Sequence, residues 1–276
     1  MFIIETMTAD DIPFAVGLTD FEKWGYLPSD FERLIDLSPE GCFVAVSDDH
    51  PSGIITTISY GDYGFMGTLI VSASERGKGI GEKLLRRAIE YLQNKGVKSI
   101  ELDGVFAAVS LYRRYGFQDK YLSIRMSRKP GIGKAVLGSC PPDLLGQIIA
   151  FDREKTGLNR RKLLVRYFEE TPDMIYAVRK RRVTAYAIVR TRANNCLSVG
   201  PVVAEKMADA ETLLAALINK FGSQAISIGI PDIMHKIPEF LAGQGFVYNA
   251  PSLRMYLGER RDYENHVFGI FGPEKG

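Results

Sequence analysis

The sequence is poor in the residues that bind metals or form crosslinks: three cysteines and three histidines in 276 residues. Cys42, Cys140 and Cys196 lie far apart and make no Cys-x-x-Cys pair, and their odd number argues against a disulfide framework. His50, His235 and His266 are equally scattered, so no metal site is expected. No apolar run reaches the roughly 18 residues a membrane-spanning helix needs, so no membrane partner is expected. Residues 1–5 lack the basic start and long apolar core of an export signal, and the chain reads as cytoplasmic. Charge of one sign is not in excess either. Thirty-five basic against 33 acidic side chains leave a net charge of +2, which removes the bulk argument for a nucleic-acid partner. Two local basic clusters remain, Arg160-Arg161-Lys162 and residues 179–182. The second falls at an expected hairpin turn, a usual place for solvated charge. What is present is an ordinary globular composition, 46% hydrophobic and 25% charged, enough for one large or two modest domains.

One stretch organises the rest, Gly67 to Leu85, with the sequence GTLIVSASERGKGIGEKLL. Thr68 to Val71 are β-branched or aliphatic and suit a buried strand. Arg76, Gly77, Gly79 and Gly81 follow with the spacing Arg-x-x-Gly-x-Gly. From Glu82 the period changes: Leu84, Leu85, Ala88, Ile89 and Leu92 share one helical face. A loop without side-chain bulk that feeds a helix start turns several backbone N–H groups toward one point, and the helix dipole adds partial positive charge there. That is a site for a phosphate or pyrophosphate. The order Gly-x-Gly-x-Gly is not the dinucleotide fingerprint, and Glu82 after Gly81 is not the end of a Walker loop.

The chain before this stretch reads as a strand (Phe2 to Glu5), a helix started by Thr8 with Asp11 three residues on, and a second short helix capped by Ser29 or Asp30 and ending at Leu37. A hairpin follows, from Gly41 to Ser47 and from Ile54 to Tyr60. After it come a helix from Glu82 to Lys95 with Gly96 as its stop, a strand from Lys98 to Leu102, a short helix near Ser110 to Tyr115 and a strand from Tyr121 to Ser127. Residues 128–134 have the breakers and charge of a linker. Beyond them the order of elements repeats. Gly116-Phe117 followed by Leu122-Ser123-Ile124-Arg125-Met126 is echoed by Gly245-Phe246 followed by Ser252-Leu253-Arg254-Met255. The reading is two copies of one α/β fold with a mixed sheet, residues 1–129 and 130–276. The second copy has Glu205 to Ala210 where the glycines should be, and Phe240 where the first has Tyr112. It is expected to bind no coenzyme.

The glycine loop, its helix, the next strand and the ending Leu111-Tyr112-Arg113-Arg114-Tyr115-Gly116-Phe117 resemble the GCN5-related N-acetyltransferases, specifically over residues 67–117 and in architecture elsewhere. The whole resembles tandem members with an active first domain and a degenerate second one. The resemblance implies acetyl-CoA as co-substrate and an amine acceptor, either a small molecule or a peptide. It implies that Arg76, Gly77, Lys78, Gly79, Ile80, Gly81 and Glu82 bind the pyrophosphate, largely through backbone N–H groups. Leu69, Ile70 and Val71 would offer their backbone to the pantetheine arm and the acyl oxygen. Tyr112 stands at the general-acid position, or only orients the sulfur. Tyr115, about 300° around the helix from Tyr112, is expected to be packing. Trp24 and Tyr26 lie where the acceptor pocket is usually shaped; the other reading is plain core or lid packing. Many relatives carry a Glu base on the organising strand, and Phe65, Met66, Thr68 and Leu69 offer none. Asp103 is then the best local carboxylate, as base, as cation ligand or as a cap of the next turn, with Asp62 and Glu101 behind it. Two other classes stay open: a coenzyme-binding sensor without turnover, and a paired-domain structural protein without ligand.

Overall fold

The computed structural model describes residues 2–133 and 138–276; Met1 and Lys134, the last residue of the expected linker, lie outside the described residues. In chain order the elements are β1 (Phe2–Thr6), α1 (Ile12–Phe21), α2 (Pro28–Leu37), β2 (Phe43–Ser47), β3 (His50–Ser59), β4 (Tyr63–Val71), α3 (Ile80–Asn94), β5 (Ser99–Gly104), α4 (Phe106–Arg114) and β6 (Gln118–Arg128). The second series is α5 (Leu145–Thr156), α6 (Arg161–Glu170), β7 (Ile175–Arg179), β8 (Val183–Arg192), β9 (Cys196–Ala204), α7 (Met207–Lys220), β10 (Ala225–Pro231), α8 (Lys236–Gly243), β11 (Val247–Gly258) and β12 (Val267–Gly269).

Spatial packing sorts these elements into two compact units. Unit 1 holds residues Met1–Asp119, Met255–Arg260 and Pro273–Gly276; unit 2 holds Lys120–Arg254 and Arg261–Gly272. The division at 129/130 describes the order of copies along the chain. The units trade their last strand: most of β6 belongs to unit 2, and the end of β11 belongs to unit 1.

In unit 1 the strands follow the order β1-β2-β3-β4-β5 and then the end of β11. The first four run antiparallel, and β4 and β5 are parallel. Local chemistry sets the element ends. The β2–β3 turn is Asp48 and Asp49, both with positive φ, a conformation that short Asx side chains tolerate. Helix α2 starts at Pro28, not after Ser29 or Asp30: proline fills the first turn, where no N–H partner is needed, and Asp30 Oδ2 accepts from the Leu27 N–H at 3.1 Å. Helix α3 lays Leu84, Leu85, Ala88, Ile89 and Leu92 on the sheet. On the other face α1 and α2 bury Ala15, Leu18, Phe31 and Leu34 against Val44, Ile54 and Ile70.

In unit 2 the order is β7-β8-β9-β10-β6 with the first part of β11, and β12 pairs with β9. Its core holds an ion pair that the composition does not announce. Asp152 and Arg160 are 1% and 2% exposed; Arg160 donates from Nε (3.1 Å) and Nη2 (2.5 Å), and the Tyr186 hydroxyl adds a third bond at 2.6 Å. Burial, then the Asp152 charge, raise the Tyr186 phenol well above its ordinary range. Arg160 therefore leaves the basic surface cluster the sequence suggested, and α6 starts one residue later, at Arg161. Removing one member of such a pair leaves a buried charge uncompensated. Arg160→Ala is expected to cost about 3–5 kcal/mol in urea unfolding, and Asp152→Leu with Arg160→Met far less. A loss under ~1 kcal/mol for the single change, typical of exposed pairs, would contradict this.

Candidate active site

The glycine loop is set by backbone conformation. Gly77 and Gly79 both have φ +81°, and no atom lies within 4 Å of where their Cβ would be. The left-handed backbone, not crowding, asks for glycine there, and the space in front of the loop is open. Helix α3 begins at Ile80 with Gly79 as its cap, so Gly81 sits within the first helical turn rather than in the loop. Ile80 is buried and anchors that turn. Arg76 ties the loop to its neighbours: Nε donates to Val71 O at 3.0 Å and Nη2 to Glu22 Oε1 at 2.6 Å. Lys78 reaches Glu75 at 2.8 Å. Tyr115 is not core packing: its hydroxyl donates to Glu82 Oε1 at 2.9 Å and braces the same helix start.

Strand β4 carries the second feature. Its register with β3 slips between Ile54↔Ile70 and Thr56↔Gly67, and Thr68 takes φ +48° inside the slip. A β-branched residue adopts that φ only where its surroundings hold it. Here Thr68 is buried and its Oγ1 lies 2.9 Å from Thr56 Oγ1. The bulge turns β4 away from β5, and their parallel pairing stops at Met66↔Leu102. Leu69, Ile70 and Val71 lie on the departing stretch: Ile70 is buried against the α1–α2 side, and Leu69 and Val71 are half-buried.

Strand β5 runs through to Gly104, so Asp103 lies on the strand, one residue past the last β4 pair. Asp103 is half-buried and shares a sheet face with Glu101 by the strand's alternation. Glu101 is fully buried and accepts from the Tyr63 hydroxyl at 3.0 Å. Asp62 is elsewhere: it sits at the opposite end of the β4–β5 pair, where its carbonyl accepts from Lys98 and Ser99 N–H. Tyr112, on α4, lies over Gly104, where a Cβ would come 2.9 Å from its ring, and meets Phe117 edge-on with centroids 6.1 Å apart. Burial pushes its phenol up to about 12.

On the α1–α2 face Trp24 is half-buried, 6.4 Å from the ring of buried Tyr26. The sequence left Tyr26 between pocket and packing; its hydroxyl donates to Glu274 Oε2 at 2.7 Å. Tyr60, stacked on Tyr63 at 6.1 Å, donates to the Lys275 carbonyl at 2.8 Å. That Asp30, Tyr60, Tyr63, Glu274 and Lys275 come together here was not legible in the sequence. The available signal was Gly67, a glycine inside a strand, which marks close backbone approach: a Cβ there would lie 2.5 Å from Glu274 Cα.

Unit 2 lacks the glycine loop but keeps the strand slip, here between Ala187↔Val202 and Val189↔Val199. Lys206 caps α7 where Gly79 caps α3. Strands β9 and β10 also part, after Val199↔Ile228, but β12 pairs with Val202 and Val203, and the Ile270 N–H bonds Gly229 O. The chain's own backbone thus lies along this opening.

A helix start free of side-chain bulk, beside a strand pair that opens along its length, suits a long phosphate-bearing thioester, and it defines a class: the acyl-CoA-using transferases. Residues 14–117 match the model of the acetyltransferase (GNAT) family and residues 148–269 that of an acetyltransferase (GNAT) domain. The chain belongs to that family, as an acyltransferase with two such domains in tandem, and members use acyl-CoA as co-substrate and act on amine acceptors. It is 25% identical over 254 residues to the holothin acyltransferase of Pseudoalteromonas sp. (strain SANK 73390), covering 89% of this chain and 84% of that one. A provisionally assigned acetyltransferase from Pyrococcus horikoshii superposes with TM-score 0.84 at 24% identity, over 100% of this chain and 96% of that one. A tandem GNAT protein from the clavulanic acid biosynthesis pathway superposes with TM-score 0.60 at 13% identity, over 95% and 100%. Among the described residues no helix is long and apolar enough to cross a membrane, and no His/Cys/Asp/Glu group is arranged to hold a metal.

Gly79→Val puts a β-branched side chain at φ +81°. With ~1–2 kcal/mol of left-handed strain and the loop filled, coenzyme A is expected to bind at least about tenfold more weakly by calorimetry. Unchanged affinity in the folded variant would separate the loop from the coenzyme.

Proposed function

We propose that this chain moves an acetyl group from acetyl-CoA to the amine of an acceptor held on the α1–α2 face of unit 1, by direct attack in a ternary complex. The carrying observation is the opening of β4 from β5 beside the left-handed glycine loop, which leaves the backbone of Leu69, Ile70 and Val71 outside the β5 ladder. Residues 76–82 fit the pyrophosphate: the two left-handed glycines face open space, and the start of α3 supplies N–H groups and partial positive charge. Bound there, acyl-CoA supplies an activated acyl carbon with a thiolate leaving group.

The chain's residues then have separable tasks. A backbone N–H of Leu69, Ile70 or Val71 stabilises the acyl oxygen as it gains charge, worth about 3 kcal/mol. Asp103, half-buried where the strands part, takes a proton from the acceptor's ammonium, and the free amine so formed attacks the acyl carbon. Tyr112 stays protonated at neutral pH, its phenol pushed up to about 12. A thiol of pKa about 8.5 is the stronger acid, so full proton transfer from such a phenol to the sulfur is uphill by roughly 5 kcal/mol. Tyr112 therefore acts as a hydrogen-bond donor to the sulfur rather than surrendering its proton early. Trp24 and Tyr26 shape the acceptor side.

The test is free-thiol release from acetyl-CoA across a panel of amines. Tyr112→Phe is expected to lower kcat about 10²-fold, in the range for one lost donor, with coenzyme affinity unchanged. Because deprotonation of Tyr112 is displaced upward, no alkaline limb of kcat assignable to it is expected below pH ~10. A limb near pH 8.5–9 that vanishes in Tyr112→Phe would contradict the role. Coenzyme binding with no thiol release for any amine would favour the sensor reading.

A further inference from the structure

The α1–α2 face of unit 1, where the proposed function places the acceptor, is occupied by residues of the chain itself. Glu274 and Lys275, each 0% exposed, lie among residues of α2, β3 and β4. Their contacts are of the kind a substrate makes. The Tyr26 hydroxyl donates to Glu274 Oε2 at 2.7 Å, and the hydroxyl of Tyr60 donates to the Lys275 carbonyl at 2.8 Å. The Lys275 ammonium lies 2.5 Å from Glu274 Oε1 and 3.9 Å from Asp30 Oδ1, and Asp30 also takes Arg33 at 3.3 Å. Gly67 is bare where Glu274 passes; a Cβ would stand 2.5 Å from its Cα and 2.9 Å from its Cβ. A Cβ on Gly276 would come 3.3 Å from the Tyr63 hydroxyl, the one bonded to Glu101. The segment thus spans from Asp30 to the carboxylate-bearing face of β5.

Burying a Lys and a Glu together is costly unless the charges are paired and hydrogen-bonded. Here two tyrosine hydroxyls, a carboxylate and a missing side chain on β4 are fitted to the segment.

Resting on the acetyltransferase reading above, we infer that this face is a binding site for a lysine-bearing peptide segment, which the chain fills with its own Glu274–Lys275. The recognition elements are the Asp30 carboxylate, 3.9 Å from the segment's ammonium, for an aliphatic cation, and Tyr60 for a backbone carbonyl. An acceptor of that chemistry, a peptidyl lysine or a small amine with a neighbouring amide, enters by displacing residues 273–276.

The test uses the full chain and a synthetic peptide of residues 270–276 with its N-terminus acetylated, by calorimetry. Glu274→Ala with Lys275→Ala is expected to empty the face and bind the peptide in a 1:1 ratio. Wild type should bind it at least tenfold more weakly, and so should the double variant when the peptide carries Ala for Lys. Equal binding by wild type and variant, or none by a variant that keeps its coenzyme-induced melting shift, would overturn the inference. Should the double variant not fold, amide exchange on the wild type decides: the Glu274 and Lys275 N–H groups should exchange at least tenfold slower than in the free peptide, and equal rates would overturn it. Neither readout needs turnover, so a chain that proved inactive would leave this inference standing, and a failed peptide experiment would leave acetyl transfer standing.

Discussion

The parting of β4 from β5 at Met66 is the constraint on which the rest of unit 1 depends. Two parallel strands satisfy each other's backbone when paired, and separating them leaves N–H and C=O groups that need partners. The slip of β4 against β3 and the left-handed backbone at Thr68 force the separation. Thr56 and the buried neighbours of Thr68 hold it in place. The opening points toward the start of α3, where Gly77 and Gly79 keep side chains away from the helix's free N–H groups. In the proposed reading one end of the cleft takes phosphates and its length takes an extended chain. Its inner end lies where β5 carries Asp103 and where Tyr112 packs on Gly104.

The second unit shows what happens when the same opening is not kept free. Strands β9 and β10 part as well, but β12 and Ile270 supply the missing backbone partners from within the chain. With Lys206 at the cap of α7 no glycine loop faces that opening. The unit has kept the fold, with its own backbone bonded along the opening. Its core also holds the buried Asp152–Arg160–Tyr186 cluster.

Much of unit 1 was legible because its signals are local. The Arg-x-x-Gly-x-Gly spacing marks the loop, the period of Leu84 to Leu92 marks α3, and the Tyr112 to Phe117 ending places α4. Errors at this level were small: Gly81 lies within α3, and Asp103 lies on β5 rather than after it. What stayed hidden depends on contacts between residues far apart in sequence. Nothing in Pro273 to Gly276 signals that Glu274 meets Tyr26, 248 residues away. The exchange of final strands between the units is equally invisible, because the expected strand at 121–127 is a strand; only its unit differs. Arg160 read as a surface charge because nothing in the local pattern joins it to Asp152, which lies on the preceding helix.

The central claim is that one of two similar folds holds the coenzyme, and holds it in the β4–β5 opening. Calorimetric titration of the full chain with coenzyme A measures this directly through stoichiometry. The account predicts one site per chain, with the same affinity after Lys206→Gly in unit 2. Two sites per chain, or none in a folded protein, would contradict it.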